Sequence, residues 1–155
     1  PLCSSCVLSK ICSAFNNNSV ENFPVKSSKS KIKLLYFDYI VAKHKNQFLI
    51  EQIKEGIWKN MYQFPVHVSE SEKTKKEILK FLSEKYQAKN LKINLINSEF
   101  IHHKLSHINI RSRFWFIENK IKIDEGIYVT SFKEYPMSKL MHKFIEKYSH
   151  ELGIS

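Results

Sequence analysis

The 155-residue sequence lacks several features whose absence narrows what it can be. No apolar run approaches the about 20 residues needed to cross a bilayer, and no secretory leader is visible. No lysine-rich amphipathic helix or lipidation signal stands out, so a membrane is not the expected partner. Cysteine is absent beyond Cys12, because Cys3, Cys6 and Cys12 are the only three. An odd, clustered set excludes a secreted disulfide framework and points to a metal or cluster site. Acidic residues are scarce, 15 against 25 basic ones, for a formal net charge of +10. That excess favours a polyanionic partner, nucleic acid before membrane; the plain alternative is a lysine-rich solvated surface. No internal repeat and no initiator Met are present, which suggests a fragment, and the expected compartment is the cytoplasm.

What is present divides into three stretches. Residues 1–15 carry the cysteines, and residues 16–31, rich in Asn, Ser and Lys with nothing periodic, read as a linker. From residue 32 the pattern becomes that of a folded domain. Residues 32–41 and 47–53 read as two strands of a hairpin around a polar turn at 42–46. Residues 69–86 read as a helix, with Ser69 or Ser71 as N-cap and an apolar stripe of Ile78, Phe81, Leu82 and Tyr86. Residues 91–97 and 126–132 read as strands, with a turn at 120–125. A last helix, 138–152, is lined by Met141, Phe144, Ile145, Tyr148 and Leu152 and stopped by Gly153. Trp58, Phe64 and Trp115 are expected in the core. The pattern predicts an α+β fold with a mixed or antiparallel sheet and two main helices, preceded by an irregular cysteine-containing segment.

Chemistry concentrates in residues 103–116, HKLSHINIRSRFWF. Period-two alternation puts Ile110, Ser112, Phe114 and Phe116 on one face of a strand, and Arg111, Arg113, Trp115 and Ile117 on the other. Lys104, Leu105, Ser106 and His107 form a polar lip at its start, the kind of place where binding residues sit on a rigid scaffold. Lys26, Lys29, Lys31, Lys33, Lys104, Arg111 and Arg113 are candidate phosphate contacts; Arg111 and Arg113 can equally pair with acids across the sheet. His102, His103 and His107 lack the carboxylates or cysteines that would complete a metal site, and read as surface histidines.

Three motifs carry a resemblance. Cys3-x2-Cys6-x5-Cys12 resembles the last three ligands of the four-cysteine [4Fe–4S] loop of endonuclease-III-type DNA glycosylases. A zinc site is the competing reading. Both want a fourth ligand, so within this chain the thiols are expected to be unligated. Gly56, Ile57, Trp58, Tyr62, Phe64 and Pro65 resemble a block in the C-terminal half of adenine DNA glycosylases, the MutY family. Ile53 departs from the usual Arg and Asn60 from the usual Gly, the latter expected to alter a local turn. Leu105, Ser106 and His107 stand where that family carries a Phe-Ser-His loop, Leu replacing the aromatic residue.

The resemblance implies residues 1–15 as a remnant of the cluster loop, 16–31 as an interdomain linker, and 32–155 as a Nudix-like lesion-recognition domain. It implies action in base excision repair of adenine paired with 8-oxoguanine, a lesion that gains an N7–H donor and an O8 acceptor. A serine hydroxyl can answer either atom, so Ser106 is the candidate reader. His107 either orients it or merely packs, and Leu105 is either a wedge beside the base or a core plug. Lys26, Lys104, Arg111 and Arg113 are the leading backbone contacts. No catalytic residue is expected, since the family's catalytic Glu and Asp lie in a helical N-terminal domain. The [4Fe–4S] cluster is expected only in the full-length protein. Partners implied are lesion-containing duplex DNA, that N-terminal domain and, docking on the linker, a replication clamp or mismatch-repair protein. A bacterial, nucleoid-associated location follows. The alternatives are a diverged Nudix pyrophosphohydrolase or a protein-docking module. Against the first, Glu77 and Ile78 match part of the Nudix box, but Lys80 and Phe81 stand where metal-binding glutamates belong, and Mg²⁺ demands oxygen ligands.

Overall fold

The computed structural model describes residues 1–25, 31–86, 91–117 and 126–154. Lys26, Lys29 and the expected turn at 120–125 lie outside the described residues. The chain forms two compact units, Pro1–Lys31 and Ile32–Ser155. In the first, short 3-10 turns (Cys3–Ser5, Ser9–Ile11, Val20–Asn22) and a one-turn helix α1 (Ser13–Asn16) bury no residue. Leu2, Val7, Leu8 and Ile11 stay exposed, and the unit is built from local backbone bonds, such as the Cys6 N–H donating to the Cys3 carbonyl at 3.2 Å.

The second unit is a mixed sheet between two helices. Its strands are β1 (Lys33–His44), β2 (Gln47–Gln52), β3 (Tyr62–Gln63), β4 (Val66–Ser69), β5 (Ile93–Leu95), β6 (Ile101–Lys104), β7 (Ile108–Ile117) and β8 (Gly126–Val129). Its helices are α2 (Lys75–Tyr86) and α3 (Lys139–Leu152). The central path is β3-β2-β1-β7-β5, with β4 on β1, β6 on β7 and β8 on β2. β1 and β7 run parallel from Lys33↔Ile108 to Ala42↔Ile117. The expected β1–β2 hairpin is present, but it pairs only near the turn, at Lys43↔Phe48 and His44↔Gln47. Ala42 to His44 remain in the strand, so the polar turn shrinks to Lys45 and Asn46, Lys45 taking φ +55°.

Strand alternation sorts the core into two layers. Tyr39, Val41, Ile110 and Phe114 face α3, where Leu140, Met141, Phe144 and Leu152 are buried. Phe144 stacks on Phe114 with ring centroids 3.6 Å apart, and Phe114 stacks on Tyr39 at 4.8 Å. Ile40, Ala42, Trp115 and Ile117 face α2, packed by Ile78 and Leu82. Phe64 and Trp115 are core residues as expected, while Trp58 is half-buried at the edge of the α3 layer.

α2 begins later than the sequence suggests. The serines offered as caps sit on or just after β4, and the helix starts at Lys75. The reason is a capping box formed by Thr74 and Glu77. The Thr74 N–H and hydroxyl donate to Glu77 Oε2 at 2.8 Å each, and the Glu77 N–H donates back to Thr74 Oγ1 at 3.3 Å. α3 follows its prediction closely: Ser138 Oγ accepts from the Met141 N–H, and Gly153 ends the helix at φ +63°. The strand expected at 126–132 stops at Val129.

Arg113 pins the start of α2 to the sheet. Its Nε and Nη2 each lie 3.0 Å from Asp38 Oδ1, its Nη1 lies 2.8 Å from Glu72 Oε1, and Nη2 also donates to the Lys73 carbonyl. Trp115 Nε1 donates to the same Asp38 oxygen at 2.8 Å. Burial raises the Asp38 pKa, opposed by the Trp115 hydrogen bond and the Arg113 charge.

The contacts of α2 lead to three stability predictions. Arg113→Ala leaves Asp38 buried without its cation and should cost about 3–5 kcal/mol in urea denaturation. Lys80→Ala, which removes only the exposed pair with Glu84, should stay within about 0.5 kcal/mol. The Thr74 hydrogen bonds, with help from Lys73, pull the Glu77 carboxyl down to about 2. A depressed acid stabilises the fold above its ordinary pKa. The Glu77 contribution should therefore be complete above pH 4.5 and disappear as pH falls toward 2. Helix circular dichroism against pH should show that loss in the wild type and not in Glu77→Gln.

Candidate nucleic-acid interface

The candidate residues sit where β6 turns into β7. The register runs from Ile101↔Ser112 to Lys104↔Asn109, and the Leu105 N–H donates to the Ile108 carbonyl at 2.8 Å. Ser106 and His107 are therefore the two tip residues of a tight hairpin, and both are exposed. The tip is also tied sideways: the Lys33 N–H at the start of β1 donates to the His107 carbonyl at 2.9 Å. A hydroxyl and an imidazole are thus displayed on backbone held from two sides. Leu105 is half-buried and packs against the α3-facing core, which favours the plug reading of that residue over the wedge.

The two faces of the hairpin differ. Alternation along β6 leaves His102 and Lys104 exposed on one face, with His103 and Leu105 half-buried on the other. Arg111, cross-strand from His102, lies over the Tyr36 and Phe100 rings at 5.8 and 6.0 Å and donates to Tyr36 Oη at 3.3 Å. Its guanidinium is held by aromatic faces, not by a carboxylate. Arg113 is a correction. Expected among the phosphate contacts, it is 8% exposed, and its donors go to Asp38, Glu72 and the Lys73 carbonyl. Its donors are taken by buried Asp38, exposed Glu72 and the Lys73 carbonyl, so the guanidinium is turned inward and away from a DNA backbone. Lys33, another candidate, is exposed and pairs with Glu70.

On the opposite face His103 meets Trp58 and the charges of α3. Its ring stands edge-on to Trp58, centroids 5.5 Å apart. Burial lowers the His103 pKa, and the nearby Lys143 and Lys139 charges of α3 lower it further. Trp58 itself takes φ +66°, and Asn60 takes φ +69°. Asn tolerates that left-handed conformation where glycine is usual; for a bulky Trp it costs about 1–2 kcal/mol. The loop is held by bonds from the Asn60 N–H to the Ile53 carbonyl (2.8 Å) and from the Met61 N–H to the Trp58 carbonyl (2.9 Å).

Residues 39–147 match the family model described as NUDIX domain. The chain belongs to the NUDIX family. Within it, this is a MutY-like NUDIX domain. Adenine DNA glycosylase of Buchnera aphidicola subsp. Baizongia pistaciae is 33% identical over 127 residues, covering 79% of this chain and 34% of that protein. The chain therefore spans about a third of the length of that curated relative. Among solved structures, the complex of the mouse MUTYH C-terminal domain with human PCNA matches with TM-score 0.55 and 14% identity, over 78% of this chain and 91% of that one. The MutT protein of Methanosarcina mazei Go1 matches with TM-score 0.57 and 12% identity, over 81% and 98%. At such identities these two likenesses describe the fold.

In this NUDIX domain the helix positions singled out for metal are used otherwise. Phe81 packs on His67, ring centroids 4.4 Å apart, Lys80 pairs with Glu84 at 3.8 Å, and Glu77 is in the capping box. Cys3, Cys6 and Cys12 form no disulfide; Cys3 and Cys6 open and close the first 3-10 turn, and Cys12 caps the second. Among the described residues no three His, Cys, Asp or Glu converge as metal ligands. No helix of the described residues is long and apolar enough to cross a membrane.

Sequence reasoning did not single out Lys139 or Lys143; Trp58 was expected in the core and His103 at the surface, and both are half-buried. Lys139 and Lys143 lie one helical turn apart, a visible spacing, but only the packing of α3 beside β6 gives it a target. Removing a neighbouring cation should relieve His103: Lys143→Gln should raise its pKa toward the ordinary histidine value, read from the imidazole proton shifts by NMR. An unmoved titration would separate the two residues.

Proposed function

We propose that this NUDIX domain is the lesion-recognition part of an adenine DNA glycosylase acting in base excision repair, and that it reads 8-oxoguanine opposite adenine through Ser106. The observation that carries the reading is the exposed Ser106 hydroxyl at the tip of a hairpin tied to both β7 and β1. An acceptor at that point can meet the N7–H that guanine lacks, but a rotating hydroxyl can also donate to the N7 of undamaged guanine, so discrimination requires a neighbour that orients it. His107 orients the serine from beside it. Lys104 and Arg111 face the sugar–phosphate backbone, and Lys26 is kept as a further contact. The net charge of +10 supports a polyanionic partner.

The chemistry of base removal is assigned to a separate N-terminal domain of the same protein. Cys3, Cys6 and Cys12 are read as ligands of that protein's [4Fe–4S] loop, completed by a fourth cysteine, and no step is assigned to the cluster here. A replication clamp is a second partner, supported by the solved MUTYH C-terminal domain complex with PCNA; the linker 16–31 is the proposed contact. The proposed location is the bacterial cytoplasm, at the nucleoid.

Ser106→Ala tests the reading. In the glycosylase that carries this domain, the preference for adenine opposite 8-oxoguanine over adenine opposite guanine should fall by about 5- to 150-fold, corresponding to about 1–3 kcal/mol for one good base contact. His107→Ala should lower it less. A preference unchanged by Ser106→Ala would remove the serine from the role.

A further inference from the structure

Four residues on the α3 face of the hairpin have no part in the reading above. Lys139 and Lys143 are exposed, and neither forms an ion pair among the described residues. Both lie close enough to the His103 imidazole to repel its proton. His103 in turn stands against the Trp58 indole, whose own backbone is in the left-handed region. Two exposed lysines and an imidazole whose protonated form they disfavour are gathered on this face. The arrangement costs least when an anion lies among them.

The opposite face of the same hairpin carries Lys104 and Arg111. A two-residue tip with cations on both faces matches a groove bordered by two rows of phosphates. The two α3 lysines are about 6 Å apart along the helix axis, which spans about two nucleotides of one strand at about 3.4 Å each. An acidic peptide would satisfy one face but offers no second row.

We propose that Lys139 and Lys143 form a second DNA-backbone contact on the α3 face of the hairpin, with Trp58 and His103 as its floor, so that the tip is straddled by both strands of a duplex. The proposal rests on the DNA-binding reading and adds the strand opposite the Lys104 contact. Lys139 and Lys143 take phosphates, and such contacts set affinity and salt dependence and not lesion choice. Trp58 and His103 hold the surface between the helix and the tip.

The experiment is duplex binding by the 155-residue chain, followed by fluorescence anisotropy across a salt series. The duplexes carry 8-oxoguanine or guanine opposite adenine. Lys139→Gln with Lys143→Gln should make the slope of log affinity on log salt shallower by about 1.8, two contacts at about 0.9 each. The loss should be equal for both duplexes. Ser106→Ala should leave that slope alone and change only the ratio between duplexes. An unchanged slope in the double-lysine variant overturns the second contact while leaving the Ser106 reading standing. A shallower slope with no lesion preference in the wild type supports the contact and overturns the lesion reading. No duplex binding by the wild type, with retention by polyglutamate, overturns both. As a check independent of the variants, the His103 pKa should rise when duplex is added, because phosphates between the lysines favour the imidazolium. A His103 titration unmoved by saturating duplex also overturns the second contact.

Discussion

The parallel pairing of β1 with β7 is the contact on which the rest of the domain depends. It joins residues 75 positions apart, such as Asp38 and Arg113, so it carries a loop-closure cost that only a large buried surface can offset. That surface is the two core layers on either side. The register decides which side chains each layer receives: Tyr39 and Phe114 meet Phe144 on one side, while Ile40 and Trp115 meet Ile78 and Leu82 on the other. A shift by one residue would exchange the layers. The same register brings Lys33 to His107 and so fixes the hairpin tip. The candidate interface is thus a direct product of the central pairing.

Charge is distributed unevenly over this frame. The chain has few acids, and those on the α2 side are locally engaged: Asp38 and Glu72 hold Arg113, Glu70 holds Lys33, and Glu77 caps α2. A NUDIX scaffold thereby keeps its helix-on-sheet geometry while its helix carries a cation and an aromatic ring at positions singled out for metal ligation. Fold and chemistry separate cleanly here. Lys139 and Lys143 of α3 and Lys104 of the hairpin are left exposed and unpaired with acids among the described residues.

Where the sequence was legible, the reason was local periodicity. The stripes Ile78–Leu82 and Met141–Phe144, the Gly153 stop and the alternation of residues 110–117 all report short-range geometry that survives folding intact. Where reading went astray, a local rule was outbid by another. Ser69 and Ser71 looked like caps, but the reciprocal Thr74–Glu77 bonds start the helix later. Ser106–His107 carries none of the Asn-Gly or Gly-rich chemistry that marks a two-residue hairpin, so the tip read as a mere lip. Leu105 and Arg113 had two readings each; Leu105 is half-buried against the α3-facing core, and Arg113 is paired with Asp38.

Residue order alone determined the α+β class, the faces of each strand and helix, the position of the serine–histidine pair and the family resemblance, because each depends on spacings of a few residues. The tertiary structure decided the rest: that β1 runs parallel to β7, that Arg113 turns inward to Asp38, and that Trp58, His103, Lys139 and Lys143 share one face. Those relations join residues from distant parts of the chain. Only burial and charge in three dimensions can rank one distant partner above another.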